Sequence, residues 1–384
     1  MNTKIAITGC ATLSALGNNP EEIWNCYLQA AHGFIQQDVQ GKKEWIAPLP
    51  DAVKAALQEL RTSDIKYKPL DATVIMAVAV SRKAVEMAGW QSDDAVGINF
   101  GSSRGATTLF ENDHLEFIQT GKVSTLTSPT TTLGNISSWV SHDLQTQGPV
   151  ISHSITCSTG LHAVLNAVAW LRSGMSEKFL AGASEAPLTP FTIAQMKALK
   201  IYSAEESDYP CKALDLDKKK NTMVLGEASG VLALEINPKT KPLAYIIGLG
   251  YATEKLKHNI SISEDAECFQ KSMKMALDEA GLDRVDAVVM HAPGTIKGDA
   301  TEFEAIKIVF KNQLPMLTTN KWLLGHTFAT SGILSVEMAL IMLQHQQFIE
   351  SPFYQNLNSK ETFKTVMINA VGFGGNAVSV IVSI

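Results

Sequence analysis

Disulfide and metal frameworks are what this chain most plainly lacks. Its five cysteines, Cys10, Cys26, Cys157, Cys211 and Cys268, are odd in number and show neither metal-ligand spacing nor a pairing pattern. That excludes a stapled secreted scaffold and a zinc module, predicts no metal ligands, and fits a reducing cytoplasm. Positive charge is also scarce: 32 Lys and Arg against 38 Asp and Glu leave a net charge of −6. Such a surface has no global attraction for nucleic acid or an anionic membrane, so an acidic partner must be met by a local basic patch. No stretch approaches the roughly 18–20 uninterrupted apolar residues of a membrane span. Ile-Thr-Gly-Cys at 7–10 superficially resembles a lipoprotein cleavage site, but the apolar run before it is too short for a signal-peptide core. Neither a nucleic-acid partner nor a membrane span is expected.

What the chain does have is length and apolar content. Its 384 residues, 45% apolar and 18% charged, can bury a large core and suggest two or three domains. Strand-like and helix-like runs alternate: strands at 4–8, 95–100, 178–181, 231–236 and 244–251, helices at 21–30, 71–88 and 162–171. Alternation of this kind predicts an α/β fold of mixed or parallel sheets covered by helices on both faces. Asn237-Pro238 marks a seam between two halves, 1–238 and 239–384. Segments 159–171 and 331–343 echo one another in pattern, which suggests duplication.

Ile-Thr-Cys-Ser-Thr-Gly at 155–160 sets Cys157 between a strand-like and a helix-like run. At a helix start the dipole and free N–H groups favour a thiolate, making a usable nucleophile. A lone cysteine is more commonly core packing; two histidines change the reading. His291 follows the buried run 285–290 and precedes Ala-Pro-Gly, so it falls where a strand gives way to a loop. His326 lies five residues after Lys321 and ahead of the helical run 333–343. One thiol and two imidazoles at such junctions are what thiol-based acyl transfer needs.

In this order the motifs resemble one family, the elongating beta-ketoacyl-acyl carrier protein synthases of the thiolase-like condensing enzymes. The resemblance runs nearly end to end. It rests on Ile-Thr-Gly-Cys-Ala-Thr-Leu-Ser-Ala-Leu-Gly-Asn (7–18), Thr-Cys-Ser-Thr-Gly (156–160) and Leu-Gly-Glu-Ala-Ser-Gly (225–230). It continues with His291 followed by Asp299 and Glu302, Lys321 with Gly325-His326, and Gly-Phe-Gly-Gly-Asn (372–376). The resemblance implies a duplicated, five-layered αβαβα thiolase-like fold with mixed sheets, and decarboxylative condensation of an acyl chain on Cys157 with a malonyl thioester. It further implies that His291 and His326 bind the malonyl thioester carbonyl, and that Lys321 and Glu302 support them electrostatically. By the same resemblance the backbone N–H groups of Cys157 and Phe373 form the oxyanion site, Phe373 is a gate, and Asp299, Gly372, Gly374 and Gly375 are structural. No resident cofactor is implied, because the phosphopantetheine arm arrives on an acyl carrier protein. Lys66, Lys68, Lys197 and Lys200 match the family's docking segments, and a homodimer or a heterodimer with a chain-length-factor subunit is the implied assembly.

Two departures bear on specificity. The family's Gly-Thr-x-Thr after the first histidine is here Ala292-Pro293-Gly294-Thr295, leaving Thr295 as the only pantetheine-binding hydroxyl. Its Phe-Asp-x-x-Arg-Asp-Gly segment is replaced by Leu-Asp-Leu-Asp-Lys-Lys-Lys-Asn (214–221), so contacts made there are not carried over. With a chain somewhat short for the family, both point, within fatty acid, polyene or polyketide biosynthesis, to a specialised synthase of polyene or polyketide pigment assembly more than to a housekeeping fatty-acid enzyme. A degradative thiolase would need a later cysteine, and none follows Cys268. A chain-initiating synthase would replace one histidine by asparagine. A non-catalytic partner subunit is the alternative, although such subunits typically lack the cysteine. Pocket volume is expected to depend on residues 100–140, with Phe110, Phe117 and Leu133 the first candidates.

Overall fold

The computed structural model describes residues 4–91, 94–133, 135–255, 263–311, 313–356 and 362–384. Strands β1 (Ile5–Leu13), β2 (Ile35–Val39), β3 (Lys42–Ala47), β4 (Val96–Gly101), β5 (Val150–His153), β6 (Lys178–Glu185), β7 (Leu225–Gly226) and β8 (Ala228–Glu235) come first along the chain. They are followed by β9 (Ala244–Thr253), β10 (Ala287–Val289), β11 (Met316–Thr318), β12 (Thr365–Gly372) and β13 (Asn376–Ser383). Ten of these run in the order β11-β10-β12-β13-β9-β1-β8-β6-β4-β5, and β2-β3-β7 form a small separate sheet.

That order contains a repeat. Count β1, β4, β5, β6 and β8 as one set and β9 to β13 as another; each then runs third-second-fourth-fifth-first. The pairing directions repeat too, with the third, second and fourth strands parallel and the fifth antiparallel to both neighbours. The sets are joined rather than separate, because Ile5–Ile7 of β1 pair with Ala244–Ile246 of β9 along one edge while Ala6–Leu13 pair with β8 along the other.

Helices complete five layers. Ala72–Ala88 covers the outer face of the first set, and Glu267–Ala280 with Ile296–Phe310 the outer face of the second. Between the sets lie Thr159–Arg172 and Ser331–His345, which touch each other and strands of both. Burial on every side explains why residues 331–343 are apolar nearly all round. The run Phe328–His345 is long and apolar enough for a membrane span, yet 89% of it is buried inside the fold.

The two central helices meet through matching glycines. A Cβ on Gly160 would lie 2.6 Å from the Ala329 carbonyl oxygen and 3.0 Å from Ile333 Cγ1, and one on Gly332 would lie 2.6 Å from Leu161 Cγ. Each glycine is the second residue of its helix, so the echo between 159–171 and 331–343 is a packing symmetry. It places the residues just ahead of both helices, Cys157 and His326, at one spot.

Candidate active site

Cys157 stands two residues before helix Thr159–Arg172, with Thr156 in the left-handed region at φ +46. The loop is drawn tight by Thr159, whose hydroxyl accepts from the Ile155 N–H at 2.8 Å and donates to the Thr156 carbonyl at 2.6 Å. The β12–β13 turn lies directly against it. A Cβ on Gly372 would fall 2.0 Å from Thr156 Oγ1 and 2.6 Å from the Ile155 oxygen, so only glycine fits there. Gly374 and Gly375 turn the chain back at φ +97 and +69.

His326 is fixed by a bridge to the Leu225-Gly226 pair: its N–H donates to the Val224 carbonyl at 2.7 Å and its carbonyl accepts from Gly226 N–H at 3.2 Å. Its Nε2 lies 3.2 Å from Cys157 Sγ, and its Nδ1 lies 3.0 Å from Ser331 Oγ. An Sγ–H donating to Nε2 leaves Nδ1–H to donate to Ser331. His291, two residues beyond β10, sets its ring edge-on to His326 with centroids 5.3 Å apart. The Glu302 carboxylate orients that loop, accepting from the backbone N–H groups of His291 at 2.9 Å and Ala292 at 2.8 Å, and from Asn369 Nδ2 at 3.2 Å.

Electrostatics at the site are governed by burial. The Cys157 thiol is pushed up to about 12 by burial, with the Glu185 carboxylate adding to the rise and Lys321 opposing it. Burial thus opposes the thiolate that the helix start was expected to favour. Burial, with Lys321 second, pulls His326 down to about 3 and holds His291 well below the usual imidazole range. Both rings are therefore neutral, each with one N–H to donate. Burial also raises Glu302 and lowers Lys321, each toward its neutral form. Among the described residues, Lys321 Nζ and His291 Nδ1 have no hydrogen-bond partner. Glu302, fully buried on helix Ile296–Phe310, is not a solvated charge.

These groups lie at a cavity of about 280 Å³, lined among others by Cys157, His291, His326, Phe328, Thr295 and Phe373. Thr295 Oγ1 caps the helix by accepting from Gly298 N–H at 3.1 Å, and its own hydroxyl proton remains free to donate. Asp299 accepts from Gly294 N–H and Leu214 N–H and pairs with Lys218 Nζ at 2.6 Å in a buried contact. The divergent segment 214–221 is thus tied to the site through Lys218.

Other expected residues lie elsewhere. Among the described residues between 100 and 140 none lines the cavity; Phe110 and Phe117 are 61% and 49% exposed, and Leu133 is half-buried. Lys197 is paired with Glu44 and Lys66 with Asp64. Lys66 and Lys68 lie at the turn Ile65–Tyr67, away from the lining, while Lys200 follows the lining residue Leu199. Sequence reasoning missed Ser331, Asn369, Lys297 and Asn221. Ser331 could have been found by its place at the start of the second central helix, and Lys297, at the mouth, by its place two residues after Thr295. Among the described residues no cluster of three His, Cys, Asp or Glu is placed to hold a metal ion.

Two family profiles match this arrangement: residues 2–239 match the beta-ketoacyl synthase N-terminal domain and 243–354 its C-terminal domain. The chain belongs to the beta-ketoacyl synthase family. Among curated relatives, the 3-oxoacyl-[acyl-carrier-protein] synthase 2 of Vibrio cholerae is 25% identical over 98% of both chains. That of Staphylococcus aureus is 26% identical over 88% of this chain and 85% of its own. Solved structures share the fold: the ishigamide ketosynthase/chain length factor gives a TM-score of 0.87 at 19% identity, covering 100% of this chain and 99% of the other. A beta-ketoacyl synthase from Burkholderia phymatum gives 0.87 at 21% identity over 99% of each. A type II polyketide acyl-carrier protein in complex with its ketosynthase gives 0.86 at 19%, covering 100% and 99%.

Proposed function

We propose that this beta-ketoacyl synthase takes an acyl group from a carrier-borne thioester onto Cys157 and condenses it, with loss of carbon dioxide, with a malonyl thioester. The observation that carries this is the Cys157 Sγ to His326 Nε2 contact of 3.2 Å beside a second neutral imidazole in one cavity. In acyl loading, Sγ attacks the thioester carbonyl, its proton passes to His326 Nε2, and the carrier thiol departs with a proton. In condensation, the malonyl carboxylate leaves as carbon dioxide and its electron pair becomes an enolate. Once Sγ is acylated and no longer donates to Nε2, His326 takes the Nε2–H tautomer with Nδ1 accepting from the Ser331 hydroxyl, and N–H groups of His291 and His326 then stabilise the enolate oxygen; neutral imidazoles suit this because they need not lose charge as negative charge develops. The enolate carbon then attacks the acyl-Cys157 carbonyl, and Sγ leaves as the beta-ketoacyl product forms. The backbone N–H groups of Cys157 and Phe373 serve the loading oxyanion, and Phe373, 40% exposed at the lining, gates the two half-reactions.

The remaining assignments belong to the same reading. The arm enters past Thr295, Lys297 and Asn221 and is the carrier's, so no resident cofactor is required. The edge strand β5 and the exposed Phe110, Phe117 and Val150 support a dimer with a second copy or a related chain-length-factor subunit. Five free cysteines support residence in a reducing cytoplasm beside an acidic acyl carrier protein. The test is acyl trapping. Incubated with an acyl-pantetheine thioester, the chain should gain one acyl mass on Cys157, and Cys157→Ala should gain none. Loading only after a related subunit is added would favour the partner-subunit alternative.

A further inference from the structure

The cavity grades from open to closed. Its outer lining includes Phe373, 40% exposed, and Leu199, 37% exposed, while its inner lining includes Phe328 at 4%, Met196 at 5% and Met223 at 2%. Behind the thiol, Phe328 packs in one cluster with Cys157, Ile193, Met196, Tyr202, Met223 and Leu225. The volume of about 280 Å³ falls just short of the roughly 300–1,000 Å³ that encloses drug-sized ligands. A pantetheine arm and a long acyl chain do not fit in it together.

Phe328 closes that inner end in an unusual backbone state. Its φ is +44, a region bulky residues avoid, and its ring stands against that of His326 with centroids 5.5 Å apart. Neighbouring groups hold the strained turn. Glu185 Oε1 accepts from the Ala329 N–H at 3.4 Å and also from the Ser103 N–H, tying the turn to the loop after β4. The Thr330 hydroxyl donates to the Ala228 carbonyl at 3.3 Å, and Gly160 leaves room for the Ala329 carbonyl. Strain held this firmly at a reacting centre points to a purpose for the side chain.

We infer that Phe328, fixed in its left-handed conformation by Glu185, is the inner wall of the acyl pocket and restricts Cys157 to short acyl groups. This rests on the condensing-enzyme reading above. Phe328 acts by contact with the acyl tail, and Glu185 is a positioning residue acting through the Ala329 N–H.

The experiment measures the rate of Cys157 acylation by intact mass for acetyl, butyryl, octanoyl and dodecanoyl pantetheine thioesters. The wild-type chain should load acetyl and butyryl groups and fall off roughly tenfold or more by octanoyl, the discrimination a tight apolar pocket can give. Phe328→Ala and the gentler Phe328→Leu should raise the octanoyl-to-acetyl and dodecanoyl-to-acetyl loading ratios by roughly tenfold or more, each ratio taken on one variant. Glu185→Gln keeps an acceptor for the Ala329 N–H and should retain the short-chain profile, whereas Glu185→Ala should relax it. Wild-type loading indifferent to chain length, or an unchanged profile in a folded Phe328→Leu, overturns the inference and leaves the condensing-enzyme reading standing. Failure of every thioester to load overturns both.

Discussion

At the scale of single residues, desolvation is the largest influence on the charge states of the site. A thiol held near 12 by burial, instead of its ordinary 9.0, has almost no thiolate at neutral pH. Its folded-state titration lies above its unfolded value, so the folded chain keeps a proton that the unfolded chain releases between pH 9 and 12. Alkylation of Cys157 by iodoacetamide should therefore rise about tenfold per pH unit from pH 8 to 10, since only the thiolate reacts. A plateau near pH 7 would mean a stable thiolate and would overturn this account. The residue types were legible in the sequence because one thiol and two imidazoles each sit where a strand or loop changes character. Their charge states were not, because burial depends on chain segments far apart in sequence, such as the loop that brings His326 to Cys157 from 169 positions away.

At the scale of elements, the sequence pattern reached the strands and helices with long periodic runs and fell short at edges and short strands. Helix Ala72–Ala88 was legible because Asp71 caps it and Gly89 ends it at φ +67. The hairpin β2–β3 was not, because β2 is solvent-facing along nearly its whole length and shows no alternation. β11 has three residues, too few to carry a period, while the equally short β10 lies within the buried run 285–290 that was legible as a strand. The echo of the two central helices was visible, but that their second residues must be glycine was visible only once the helices met. The glycines are unequal in their surroundings. An added methyl at Gly160 meets the Ala329 backbone oxygen at 2.6 Å, whereas at Gly332 it meets the movable Leu161 side chain at 2.6 Å. Gly160→Ala should therefore destabilise more, within the roughly 1–3 kcal/mol of an overpacked core, and Gly332→Ala less. Equal losses in chemical denaturation would mean that the helices shift as one body and that the backbone contact is not limiting.

At the scale of the whole molecule, the net charge of −6 repels an acidic carrier, so docking has to rest on cations that no acid already holds. Lys197 and Lys66 are partnered by Glu44 and Asp64. Lys297 lines the cavity in the first turn of helix Ile296–Phe310, where the helix dipole disfavours a cation and an incoming anion would relieve it. Lys200 is exposed beside the lining residues Leu199 and Ile201, its carbonyl accepting from Asn221 Nδ2 at 2.9 Å. The pair Lys200 and Lys297, more than the segment-matched Lys66 and Lys68, is therefore expected to receive the carrier. Reversing both to Glu should raise the apparent KM for carrier-delivered substrate, more than reversing Lys66 and Lys68 does. The difference should shrink as salt brings the Debye length below about 8–10 Å. An uncharged pantetheine thioester, lacking both the carrier's acidic surface and a phosphate, should be loaded at nearly the same rate by every variant. A larger effect at Lys66 and Lys68 would move the docking face away from this mouth. Equal loss with the small thioester would mean that the lysines support the cavity and do not meet the carrier.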